Sequence, residues 1–238
     1  MPKLVTGLLV KNEADKFLER VLRRCLEFSD SVLVLDDGST DGSERIAWRL
    51  DCEVKQRAET GMWGNEAPAR AELWDWMARE AGEDGWALVC DADMELVGDP
   101  RPLTLSRQHN SWAWVLYDMW SPKEYRKDGF WQGHTAPRPW MFKPSALGNQ
   151  APIWPARGLH TGHAPLNFPY NTGILDNQQY FWLHLGYITP ALREAKYQQY
   201  LSKKDQLSPF ELAHASSIVD LEWSNSRQSP MKPSTSSS

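Results

Sequence analysis

Residues 33–40 read LVLDDGST. Leu33, Val34 and Leu35 pass without a polar break into two adjacent carboxylates, Asp36 and Asp37. A short apolar run without alternation is the pattern of a strand covered on both faces, and Gly-Ser-Thr after it is turn chemistry. Two neighbouring carboxylates repel each other. At the end of a buried strand they require a cation or a set of hydrogen-bond donors to meet them.

The same grammar extends outward on both sides. Lys3 to Val10 is a second apolar strand, and Asn12 is placed to cap a helix carrying Phe17, Leu18, Val21, Leu22, Cys25 and Leu26 at helical spacing. Asp41 and Glu44 form a capping pair for a helix over 43–50, and 52–56 is a third strand. Residues 68–81 are helical, with Leu73, Trp76 and Met77 on one face, and 86–90 is a fourth strand ending in DADMEL. Strand and helix alternate throughout, which predicts a mostly parallel α/β sheet flanked by helices, Rossmann-like in plan. Ligands of such sheets bind at the carboxyl ends of the strands. Asp36–Asp37 and Asp91–Asp93 both lie at such ends and are expected on one edge.

Past Pro100 the character changes. Residues 111–120 and 138–145 read as strands, 129–171 as loops rich in Gly, Pro, His and Trp, and helices are expected from Pro190 and over 210–223. Residues 224–238, ending PSTSSS, read as a disordered tail.

The chain of 238 residues is 41 % hydrophobic, enough for a sizeable core, and its formal charge of −5 argues against a nucleic-acid partner. Lys123, Arg126 and Lys127 read as a solvated loop. Cys25, Cys52 and Cys90 lack zinc spacing and read as reduced packing residues. The N-terminus has no signal-peptide layout and no apolar run reaches membrane-spanning length, so a cytoplasmic protein without a transmembrane segment is expected. Thirteen Trp exceed what core packing asks for. Trp131, Trp140 and Trp154 are candidates for a surface that grips a ligand.

Asp91-Ala92-Asp93 projects two carboxylates to one side of an extended segment, an arrangement suited to a hard divalent cation that keeps positions open for phosphate oxygens. Here a resemblance enters. LLVKNEADKFLERVLRRCLEFSDSVLVLDDGSTDGSERIA followed by DAD resembles glycosyltransferase family 2, whose members have the GT-A fold, and WLHLGYITPALREAKYQQYL is similar to a late His-containing segment of one bacterial branch. The resemblance implies one GT-A-like domain over 1–223, with a nucleotide-binding half at 1–100 and a loop-rich acceptor-side half at 101–223. It implies that Asp37 accepts hydrogen bonds from the base and ribose of a nucleoside-diphosphate sugar, a UDP-sugar foremost. Asn12, Glu13 and Asp91 would line the same pocket, and Arg70 would meet the base or a phosphate. Asp91, Asp93 and His184 would hold Mn²⁺ or Mg²⁺. The implied activity is metal-dependent transfer of a hexosyl group to a saccharide, protein or lipid-linked glycan.

An inverting transfer needs a general base. ARGLHTGHAP is similar to a family stretch that often reads His-Glu, but Thr161 stands at the Glu position. Asp176, His160 and His163 are the remaining candidates, and a retaining route needs no such base. A nucleotidyltransferase is the first competing reading. Its first strand is typically followed by a Gly-rich basic loop, whereas this loop reads KNEAD. A non-catalytic nucleotide-sugar-binding protein is the second, and a modified nucleic-acid base is a further acceptor.

Overall fold

The central strand β1 (Leu4–Val10) is buried along its whole length, as an unbroken apolar run requires. It pairs in parallel with β2 (Ser31–Asp36) on one side and β4 (Trp86–Asp91) on the other, and β2 pairs in parallel with β3 (Glu53–Gln56). Helices α1 (Leu18–Leu26), α2 (Ser43–Arg49) and α3 (Ala67–Ala81) form the connections. α1 turns Leu18, Val21, Leu22 and Cys25 inward, the stripe expected of period 3.6. This is a computed structural model; it describes residues 1–62, 65–156 and 162–220.

The later strands join the same sheet. They are β5 (Met94–Val97), β6 (Ser111–Ser121), β7 (Glu124–Tyr125), β8 (Arg138–Phe142), β9 (Thr172–Ile174) and β10 (Phe181–His184). The order is β3-β2-β1-β4-β8-β6-β10-β5, with β7 and β9 also paired to β6. β8 runs antiparallel between β4 and β6, so β6 points the same way as β1 and β4, and β10 is parallel to β6. The carboxyl ends of β1, β2, β4, β6 and β10 therefore share one edge. Strands from residues 1–100 and from residues after 100 interleave, and one apolar cluster runs from Leu4, Leu8 and Trp86 through Trp114 and Trp140 to Trp182. Two helices, α4 (Pro190–Leu201) and α5 (Pro209–Ser217), close the chain.

Several elements differ from expectation for local reasons. Asn12 does not cap α1. It takes a left-handed conformation, φ 55°, and its Oδ1 accepts from the Thr40 amide at 2.9 Å. Asp41 accepts from the Ser43 amide at 2.9 Å, but Glu44 turns to Gln56 instead of completing the capping pair. The strand expected over 138–145 stops at Phe142, and Pro144 opens a 3₁₀ turn. β5, β9 and β10 are too short to show a period. α5 ends at Ser217 within the region expected to be helical; residues 221–223 and the tail 224–238 lie outside the described residues.

Much of the Trp excess is core: Trp74, Trp86, Trp114, Trp140 and Trp182 are fully buried. Arg126 is no solvated loop residue either. It is buried, with its guanidinium 4.8 Å and 5.3 Å from the ring centres of Trp120 and Trp131. All three cysteines are free and buried.

β1 and α3 approach closely because residue 7 has no side chain. A Cβ at Gly7 would collide with Sδ and Cγ of Met77 and meet Leu73 at 3.1 Å. Gly7→Val should destabilise the fold by about 1–3 kcal/mol through overpacking. Denaturant unfolding of both proteins checks this, and an unchanged midpoint would refute the close contact.

Candidate active site

The opening doublet is resolved by what surrounds it. Asp36 is buried, and its Oδ2 accepts from the amides of Gly38 and Ser39 at 3.1 and 2.9 Å, which fixes the turn. Asp37 is also fully buried. Its Oδ1 pairs with Arg57, and its Oδ2 accepts from the amides of Gly61 and Met62 at 2.9 and 3.0 Å and lies 3.3 Å from Lys11 Nζ. Burial pushes the Asp37 carboxyl up, but the two amides, Arg57 and Lys11 more than offset it and hold it below the usual range. Asp37 is thus satisfied within the protein and does not line the cavity described below, where the base and ribose were expected to meet it. Its role is to tie the 57–62 loop to the sheet.

The rest of the turn binds the loop after β1. The amides of Asn12, Glu13 and Ala14 donate to Ser39 Oγ, Ser43 Oγ and Asp41 Oδ2 at 2.8–2.9 Å. These amides are engaged and do not form the phosphate cradle that a nucleotidyltransferase loop presents.

A cleft of about 940 Å³ opens at the carboxyl edge of the sheet. Asn12, Glu13, Arg70, Asp91, Asp93 and His184 all line it, as do His163, Trp131 and Trp140. Asp176 does not. It is exposed after β9, where its Oδ1 accepts from the Gln178 amide at 2.8 Å and shapes a turn away from the cleft lining. His160 and Thr161 lie outside the described residues. Trp154 packs edge-on to Trp74 at 6.3 Å rather than facing the cleft.

Asp91 and Asp93 face different partners. Arg70, buried on α3, donates through Nη2 to Asp91 Oδ1 at 3.0 Å and to Glu66 Oε1 at 2.8 Å. Its Nε and Nη1, both buried, have no hydrogen-bond partner among the described residues. Unpaired guanidinium donors at a cleft wall are an anion-binding feature. Burial raises the Asp91 carboxyl and Arg70 draws it back below its usual value.

Asp93 stands in a four-member cluster. Strand register creates it: His184 on β10 sits beside Asp118 on β6, and the Leu185 amide donates to the Asp93 carbonyl at 2.7 Å. His184 Nδ1 lies 2.8 Å from Asp118 Oδ1, and Nε2 lies 3.2 Å from Asp93 Oδ2. Lys196, from α4, donates to Asp93 Oδ2 at 2.9 Å and sits 3.3 Å from His184 Nε2. Burial opposes charge on His184, but Asp93 and the Asp118 hydrogen bond prevail over burial and Lys196, raising it to about 9. Burial likewise raises Asp93, and Lys196 and His184 bring it well below the carboxylate range. Two carboxylates and two cations balance.

Gly186 makes room for this cluster. A Cβ there would press on Asp93 Oδ2, lie 2.6 Å from Lys196 Nζ and lie 3.1 Å from His184 Nε2. The three groups thus converge on one point. Asp93 offers an oxygen to a cation at that point, and His184 a nitrogen once its Nε2 proton has left; among the described residues no three His, Cys, Asp or Glu form a metal-holding group. A divalent ion that keeps most positions for water and phosphate oxygens suits such a two-donor pair. Asp118 holds the second ring nitrogen as outer carboxylates do for metal-bound His. Asp118 and Lys196 escaped the sequence reading. Their signals were an acid inside the apolar run WVLYDMW and a lysine on the helical face shared with Leu192, Ala195, Gln199 and Tyr200.

No protein-family model matches the chain, and no curated protein does. Among solved structures, it is similar to glucosyl-3-phosphoglycerate synthase from Mycobacterium tuberculosis in complex with Mn²⁺, UDP and glucosyl-3-phosphoglycerate, at 24 % identity and a TM-score of 0.36, over 48 % of this chain and 44 % of that one. It is also similar to the mannosyltransferase PcManGT from Pyrobaculum calidifontis in complex with GDP-Man and Mn²⁺, at 16 % identity and a TM-score of 0.49, over 93 % of this chain and 71 % of that one. The chain spans less than half the length of the synthase it matches. No described helix is long and apolar enough to cross a membrane.

Asp37→Asn would remove the buried partner of Arg57, which keeps only the more exposed Glu72, and should cost about 3–5 kcal/mol at neutral pH. The folded carboxyl is depressed, so its contribution is present above the unfolded value near 3.9 and is lost as pH falls below it. Unfolding free energies of the two proteins should differ most at pH 6–7 and converge below about pH 4; a gap that widens in acid would refute the assignment.

Proposed function

We propose that the chain is a glycosyltransferase of the family 2 type, moving a hexosyl group from a nucleoside-diphosphate sugar, a UDP-sugar foremost, to a saccharide, protein or lipid-linked glycan. The observation that carries this reading is one cleft at the sheet's carboxyl edge, where the unpaired donors of Arg70 stand on the same wall as Asp91, Asp93 and His184. A diphosphate brings the anionic oxygens that Arg70 lacks, and the guanidinium fork suits them. Asn12 and Glu13 line the cleft where the nucleoside would lie. Asp93 and His184 would hold Mn²⁺ or Mg²⁺, with Asp91 alongside; when bound, the ion supplies positive charge to the departing diphosphate.

The chain's own residues perform the remaining tasks. Asp118 fixes the His184 ring. Lys196 adds a cation on the same wall. Trp131 and Trp140 offer ring surface to the cleft, although both are largely buried. Of the base candidates, His163 lines the cleft, with its ring 4.3 Å from that of Trp140, and its position next to Asp91 suits removal of an acceptor proton.

A screen of UDP-, GDP- and dTDP-sugars for Mn²⁺-dependent hydrolysis tests the reading. One donor should be turned over slowly without acceptor. Asp93→Ala should reduce that rate by about a hundredfold or more. Equal rates in the variant, or no hydrolysis of any donor, would overturn the proposal. Arg70→Met should weaken donor binding by about tenfold or more while the protein stays folded.

A further inference from the structure

The convergence of Asp93, His184 and Lys196 over Gly186 has a consequence for metal binding. Of the two groups suited to ligating a divalent ion, Asp93 already holds a cation that belongs to the chain, and that cation stands beside His184. Lys196 Nζ is 2.9 Å from Asp93 Oδ2 and 3.3 Å from His184 Nε2. The ideal Cβ position of Gly186 lies within 3.1 Å of Lys196 Nζ and His184 Nε2 and closer still to Asp93 Oδ2, so the space is a single small pocket and not a broad surface.

We propose that Lys196 is the resident cation of this site: its ammonium holds the position between Asp93 and His184, and a divalent ion enters only by displacing it. The inference deepens the reading of the cleft as a metal and diphosphate site and rests on it. An ammonium and a divalent ion cannot share one pair of donors at about 3 Å, because their repulsion in a partly buried site exceeds what two ligands supply. Displacement is feasible because Lys196 has a flexible four-carbon stem and emerges from the cleft-facing side of α4. The diphosphate of a donor would give the displaced ammonium a new anionic partner within the same cleft. The free protein should therefore bind the ion poorly, and bound diphosphate should strengthen that binding.

Electron paramagnetic resonance titration of the protein with Mn²⁺, without any nucleotide, tests this directly. Wild type should bind at least about tenfold more weakly than Lys196→Met, which keeps the stem and removes the charge. Adding Asp93→Asn to Lys196→Met should abolish the gain, which locates the ion. Lys196→Arg retains the charge and should bind as weakly as wild type. If Lys196→Met fails to unfold cooperatively, Lys196→Gln gives the same readout. Equal Mn²⁺ affinity in wild type and the neutral variants, or no binding by any of them, would overturn the proposal. The titration uses no sugar donor, so glycosyl transfer can fail in the donor screen while this result stands, and the reverse also holds.

Discussion

A carboxylate withdrawn from water must find positive charge or amide donors close by, and that constraint organises the whole carboxyl edge of this sheet. Asp36 folds the turn by accepting two amides, and Asp37 gathers Arg57, Lys11 and the 61–62 backbone around itself. Asp91 draws in Arg70 from α3. Asp93 and Asp118 require His184 and Lys196, which arrive from β10 and α4. Each acidic strand end thereby recruits a different later segment, and the cleft is the space left among these pairings.

The first hundred residues were legible because their signals are local. Uninterrupted apolar runs, a Gly-Ser-Thr turn and a stripe such as Leu18, Val21, Leu22 and Cys25 need no partner to be recognised. The boundaries of β1, β2, α3 and β4 fall within a residue or so of the sequence reading. The shared edge of the two acidic clusters also followed from strand direction alone. After β4 the pattern weakens because β5, β9 and β10 have three or four residues each and are stabilised by neighbours distant in sequence. β5 pairs with β10, nearly ninety residues later, and no window of sequence contains that pairing.

The candidate site was legible to the same degree. Arg70, Asp91, Asp93 and His184 carry motifs, and they do line one cleft. Asp118 and Lys196 carry none. The first is positioned by the register of two parallel strands, the second by one turn of helix packing against them. Nothing in the sequence put Asp176 outside the cleft lining, because an acid in a loop says nothing about which side of the sheet that loop occupies. The surplus of Trp misled for a related reason: indole count does not distinguish a ring stacked in the core, such as Trp182, from one at a cleft wall, such as Trp131.

The two acidic clusters then differ in a way that matters for chemistry, namely in what neutralises them. Around Asp37 the partners are two backbone amides, Arg57, whose side chain is buried, and Lys11 at the cleft; the amides and Arg57 cannot leave without breaking the loop they hold. Around Asp93 one partner is a lysine at the wall of a solvent-connected cleft, anchored through a flexible stem. The first arrangement is permanent and stabilises the fold. Under the proposed exchange, the second gives up its cation without disturbing a strand or a turn, in the space that Gly186 leaves. Only a carboxylate whose counter-charge is exchangeable can serve a ligand that comes and goes. That difference, and not the number of acids in either motif, is why the proposed binding edge is 91–93 and not the doublet at 36–37.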